Sequence, residues 1–125
     1  MRRFAAALAC IAAFAAGPAL GQGLDHAHKA WTALLQKHVV LVADGRTSQV
    51  RYAAFSKDRA ALKAYLDGLS AVTDVEFRAW SKPQQMAFLI NAYNGYTVEL
   101  ILAHYPVKSI KDIGNDLFSN RWKNP

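Results

Sequence analysis

The sequence has little cysteine and no dense block of charge of one sign. Its single cysteine, Cys10, lies in an apolar segment near the N-terminus, and residues 22–125 contain none. That part of the chain can therefore supply neither a disulfide framework nor a thiolate nucleophile. No run of five like charges occurs, so the mild basic excess predicts a solvated surface and no nucleic-acid partner.

Residues 1–21 predict a secretory signal peptide. Two arginines precede an apolar run over residues 4–16, and Gly17-Pro18 and small residues follow as far as Gly21. This order is typical of a signal that is cleaved after a small residue. The run is shorter than the ~20 residues of a comfortable membrane span, so cleavage is favoured over the alternative of a retained membrane anchor. A lipoprotein is less favoured still. We expect export to the periplasm or the medium, with residues 22–125 carrying a net charge of +4.

Apolar spacing predicts a mainly α domain, with α+β as the alternative. Residues at spacings of three and four predict helices over residues 24–41, 56–70, 73–80 and 84–104, with a short helix before Gly114. The pattern of residues 50–55 fits a short strand or an extended loop. We expect shorter helices around a central buried helix, and a small sheet that residues beyond the chain would complete.

Two helix starts carry a specific signal. Thr73 with Glu76, and Ser81 with Gln84, have the spacing of capping boxes, in which the two side chains cap each other's backbone N–H groups. Pro106 is expected to stop the long helix after about residue 104.

The long helix is apolar on nearly every side from Met86 to Leu102, which predicts burial on every side. Gly95 in its middle suggests close approach of a neighbouring backbone, and Glu99 should have a basic partner because it opposes the helix dipole. Asn91 and Asn94 are the candidate site residues. Their amides would either clamp neighbouring loops or orient a base or an oxyanion, and the structural role is favoured.

Other polar residues receive structural interpretations. Tyr93 and Tyr96 are expected to pack in the core with bonded hydroxyls, and His104 should cap the helix C-terminus. A metal site from Asp25, His26 and His28 is disfavoured, since histidines two apart do not share a helix face. We expect no cofactor and no metal.

Residues 88–114 carry a family resemblance. The run FLINAYNGYT, continuing through YPVKSIKDIG, resembles the central motif of the domain-of-unknown-function family 547. The Val50-Arg51-Tyr52 segment and Leu62 with Tyr65-Leu66 agree with it, so the resemblance covers residues 24–125. It implies the N-terminal portion of one domain, whose remainder in the family carries an acidic-His segment and a cysteine.

Two functional hypotheses follow. The first is a non-catalytic exported domain with a binding or structural role. The alternative is the supporting half of a thiol hydrolase or acyl-transfer enzyme, a weak analogy with papain-like and transglutaminase-like folds, whose cysteine and histidine would lie beyond residue 125. A partial domain should also expose apolar residues and self-associate, and the candidates are Ile110, Ile113, Phe118 and Trp122.

Overall fold

The computed structural model describes residues 23–114. The signal-peptide prediction and the exposure predicted for Phe118 and Trp122 lie outside these residues. Five helices and two strands follow in chain order: α1 (Lys29–His38), β1 (Val39–Val42), β2 (Thr47–Val50), α2 (Tyr52–Phe55), α3 (Arg59–Ser70), α4 (Asp74–Ala79) and α5 (Lys82–Ala103). Single 3₁₀ turns cover Ser56–Asp58 and Ile110–Gly114.

The prediction of a mainly helical fold with a small sheet is confirmed for the described residues. β1 and β2 form an antiparallel hairpin in which Val39 pairs with Val50 and Val42 with Thr47. The turn between them has positive φ at three successive residues, of which Gly45 reaches 82°. Glycine adopts that angle without the Cβ clash that other residues meet there.

Both predicted capping boxes are present. The Thr73 side chain accepts from the Glu76 backbone N–H, and the Glu76 carboxylate accepts from the Thr73 backbone N–H. Ser81 and Gln84 make the same reciprocal pair at the start of α5. These caps satisfy N–H groups that have no partner within the helix. Short-range sequence signals therefore set where α4 and α5 begin.

The core lies where α1, α2 and α3 meet the C-terminal half of α5. Its buried members are Trp31, Leu34, Phe55, Leu62, Tyr65, Leu66, Leu69, Val98 and Leu102. The four members from α3 lie at helical spacing on one face of that helix: Leu62, Tyr65, Leu66 and Leu69. Trp31 stacks on Tyr65 with ring centroids 5.7 Å apart, which joins α1 to α3.

Three predictions of element type or extent are wrong. The first helix ends at His38 and not at residue 41, because Val39–Val42 is strand β1. The first helix begins at Lys29 and not near residue 24, because both Asp25 carboxylate oxygens accept from backbone N–H groups, of Ala27 and Lys29, at 3.0 Å. This local turn competes with helix formation. The segment after Val50 is also neither strand nor extended loop, since Tyr52–Phe55 is a short helix.

The prediction that α5 is buried on every side is wrong for one face. Gly95, Val98 and Leu102 are buried against the core, while large apolar residues on the opposite side remain exposed. α3 is the main neighbour of α5, and α4 adds contacts near its start, where Phe77 and Trp80 pack on Phe88. Within residues 23–114, the opposite side of α5 stays largely uncovered.

Candidate functional site

The most distinctive surface of the described chain is the exposed side of α5. Five large side chains form it, and we call this set the outer face of α5: Met86, Leu89, Ile90, Tyr93 and Tyr96. Tyr93 is 75% exposed, and Met86, Leu89 and Ile90 are each more than half exposed. No charged residue lies between Lys82 and Glu99. A contiguous apolar surface of this kind is typical of a contact surface.

The inner side of α5 explains why the outer face points away from the core. A Cβ added at Gly95 would stand 3.0 Å from Leu66 Cδ2, so the glycine permits close packing on α3. Glu99 forms a bidentate pair with Arg59 of α3, with Nε 3.1 Å and 3.2 Å from the two carboxylate oxygens. The predicted basic partner of Glu99 is confirmed, whereas the close neighbours of Gly95 are the side chains of Leu66 and Tyr65 and not, as predicted, a backbone. Together these contacts fix the rotation of α5 about its axis.

The two candidate asparagines occupy different environments. Asn91 is half-buried, and Asn94 is exposed at the border of the outer face. Neither amide makes a side-chain hydrogen bond to another residue in the range 23–114. Within residues 23–114 neither amide therefore acts as the expected clamp, and Asn94 is not buried either. The misjudged burial has the same cause as for the whole helix, since an apolar pattern does not show which side has a neighbour.

The tyrosines of α5 also differ from expectation. Tyr93 does not pack in the core, whereas Tyr96 is partly covered and its hydroxyl lies 2.5 Å from Ser70 Oγ. This bond ties the edge of the outer face to the end of α3. His104 Nδ1 lies 2.9 Å from the Leu100 carbonyl oxygen, which confirms its predicted role at the helix C-terminus.

Asp25, His26 and His28 are not brought together as a ligand set. The carboxylate of Asp25 caps the turn before α1, and His26 packs edge-on against Trp80 at 4.6 Å. His28 is only 6% exposed and bonds to Tyr65. Within residues 23–114, no three His, Cys, Asp or Glu side chains are placed to hold a metal ion.

A second histidine makes a contact that sequence reasoning missed. His38 Nε2 lies 2.7 Å from Asp58 Oδ2, and Lys37 Nζ lies 2.7 Å from the same oxygen. Hydrogen bonds from Lys37 and then His38 lower the pKa of the Asp58 carboxyl. The His38 ring stacks on Phe55 at 4.4 Å and is 1% exposed. The only sequence signal was the position of His38 on the apolar stripe of the first helix.

The His38–Asp58 pair has the geometry of a carboxylate that orients an imidazole, but its surroundings favour a structural role. His38 Nδ1, the atom that would act on a substrate, is buried and has no hydrogen-bond partner in the described part of the chain. A general base must come within hydrogen-bond reach of the proton it removes. A ring nitrogen closed off from solvent does not meet that requirement.

Comparisons with known proteins add no assignment. Neither models of known families, nor the curated protein sequences, nor the solved structures gave a match to this chain. None of the helices within residues 23–114 has the combination of length and apolarity that a membrane crossing requires.

Proposed function

We propose that this chain is an exported, non-catalytic binding domain, that the outer face of α5 is its contact surface, and that a second copy of the chain covers it. The observation that carries the proposal is the exposure of five large apolar side chains on one uncharged helical face. Burial of apolar surface is the main driving force of protein association.

The absence of charge favours a second copy as the occupant. When one surface meets itself across a two-fold axis, each side chain meets a patch of the same kind. A charged face would then place like charges together, and the uncharged stretch between Lys82 and Glu99 avoids this cost. Tyrosine and methionine are also residue types enriched in interface cores.

The available area supports a weak association. With ~200 Å² for a fully exposed large side chain, the outer face offers roughly 550 Å² per chain. A symmetric pair would bury roughly 1,100 Å², close to the ~1,200 Å² at which specific interfaces begin. The dimer should therefore form in a concentration-dependent way.

Sedimentation equilibrium over a hundredfold range of protein concentration tests this association. We expect a monomer–dimer equilibrium, weakened at least tenfold by Tyr93→Lys and by Ile90→Lys. Val75→Lys is the matched control, because Val75 is 78% exposed but lies on α4, outside the outer face. A monomer at every concentration, or equal loss of dimer in the control, would refute the proposed contact surface.

The non-catalytic part of the proposal has its own test. The purified chain is assayed with ester and amide substrates that report hydrolysis and acyl transfer. We expect no saturable turnover. Turnover that disappears in Asn91→Ala would overturn this assignment, whatever the oligomeric state.

The exposed amide of Asn94 favours the second candidate function, the supporting half of a thiol hydrolase or acyl-transfer enzyme. Asn94 borders the outer face, so a segment that covered this face would meet the amide. The resemblance of residues 88–114 to family 547 supports the same idea. Mass spectrometry of the native protein and cysteine alkylation test it: a longer product with an essential cysteine supports this candidate, and activity that survives alkylation contradicts it.

A further inference from the structure

A cavity separate from the outer face of α5 lies between the turn before α1 and the helix α3. Its volume is about 260 Å³. Small residues of α3 form much of its wall, among them Ala64 and Gly68, and Leu24 adds an apolar side chain. A Cβ added at Gly68 would meet no atom within 4 Å, so the glycine leaves the space beside it open.

His28 contributes a buried polar group to this cavity. The residue is 6% exposed and has a left-handed backbone with φ of 48°. Residues other than glycine rarely adopt this conformation, and such residues cluster at functional sites. Its ring nitrogen Nδ1 lies 2.9 Å from the hydroxyl of Tyr65, which also lines the cavity.

The tautomer of His28 is assigned from its hydrogen bond to Tyr65. Burial raises the pKa of Tyr65 to about 12, so its hydroxyl keeps its proton. The histidine ring is the one partner of that hydroxyl among residues 23–114. The O–H group of Tyr65 has an acceptor only if it donates to Nδ1. In that case the proton of the neutral His28 ring is on Nε2. Burial lowers the pKa of His28 and so favours this neutral form.

Nε2 of His28 is therefore a hydrogen-bond donor at the cavity. It has no hydrogen-bond partner in the described part of the chain. It is also not among the fully buried atoms that lack one, since His38 Nδ1 is the single such atom within residues 23–114. Nε2 therefore keeps some accessible surface, and His28 lines the cavity.

We propose that this cavity is a binding site for a small uncharged molecule with an apolar body and an oxygen acceptor that bonds to His28 Nε2. Pockets for drug-sized ligands measure ~300–1,000 Å³, so a volume of about 260 Å³ suits a body of about one ring. Asp25 and Lys29 also line the cavity. Their opposite charges offset each other, and the site therefore favours a neutral ligand.

Titration of the ¹⁵N-labelled full chain with benzyl alcohol and with toluene tests the site. Toluene has a similar body but no oxygen. We expect saturable shifts of the amides of Ala64 and Gly68 with benzyl alcohol, and an affinity at least fivefold weaker for toluene. No saturable shift at these residues, or equal affinity for the two probes, would overturn the proposal.

Two variants separate the apolar body from the polar contact. Gly68→Leu fills the cavity and should abolish binding, whereas Ala61→Leu places the same side chain on an exposed position of α3 and should not change it. His28→Asn, which tolerates the left-handed backbone, should reduce the preference for benzyl alcohol to less than twofold. Undiminished binding in folded Gly68→Leu contradicts the assignment, and so does an unchanged preference for benzyl alcohol over toluene in His28→Asn. If Gly68→Leu does not fold, the His28→Asn result alone decides the test.

Discussion

The two glycines of α3 and α5 allow a sharp test of the packing that orients α5. Gly68 and Gly95 both lie inside helices, and neither has a positive φ. A Cβ at Gly68 would meet no atom within 4 Å, whereas a Cβ at Gly95 would stand 3.0 Å from Leu66 Cδ2. Replacing either residue with alanine gives the helix the same intrinsic gain, so the difference between the variants isolates the packing cost.

The expected magnitudes differ in sign. Gly68→Ala should raise the free energy of unfolding by about 0.5–1 kcal/mol, because alanine loses less backbone entropy on folding than glycine. At Gly95 the same gain is opposed by overpacking against the buried Leu66 side chain, which costs about 1–3 kcal/mol. Gly95→Ala should therefore be neutral or destabilising by up to about 2 kcal/mol. For a domain of this size each kcal/mol shifts the melting temperature by roughly 4–8 °C.

Urea and thermal unfolding followed by circular dichroism would measure both variants. A Leu66→Val background removes the δ carbons that a Cβ at Gly95 would meet. In that background Gly95→Ala should become stabilising, which a double-mutant cycle detects as coupling. If Gly95→Ala stabilises the parent chain as much as Gly68→Ala does, close packing on α3 is not the reason for the glycine.

Three further outcomes are expected. Ser81→Ala should cost about 1 kcal/mol of stability by removing the cap of α5, measured by urea unfolding. Asp58→Asn should lower the melting temperature at pH 7, because Lys37 and His38 lower the folded-state pKa of Asp58. The stabilising effect of this carboxylate is complete above the unfolded pKa and is lost as pH falls through the folded pKa. The melting temperatures of variant and parent should therefore begin to converge as pH falls below about 4. The lowered pKa of His28 has the same sign: stability should fall as pH decreases below the unfolded value of about 6.5, and His28→Asn should flatten the melting temperature measured over this range.

Local signals predicted much of the fold. The capping boxes at Thr73 and Ser81 use side chains three residues apart, so their geometry needs no tertiary contact. The apolar stripe of α3 was also readable, because four buried residues at helical spacing define one face. The start of α1 was misjudged because Asp25 forms a local turn, which hydrophobic spacing does not encode.

The candidate sites depended on long-range contacts. The pattern of α5 marks nearly all of its residues as apolar, and only packing through Gly95 and the Arg59–Glu99 pair decides which side becomes the outer face. For the same reason, Asn94 is exposed although its neighbours in sequence are apolar.

The sequence by itself determined the helical class, the capped helix starts and the lack of a thiol in residues 22–125, since these follow from composition and from contacts within a few residues. The tertiary structure decided that His28 turns inward to Tyr65 and that His38 meets Asp58, 37 and 20 residues away along the chain. Such contacts depend on how separate helices are oriented towards each other. That orientation is set by the packing of whole faces and not by any short stretch of residues.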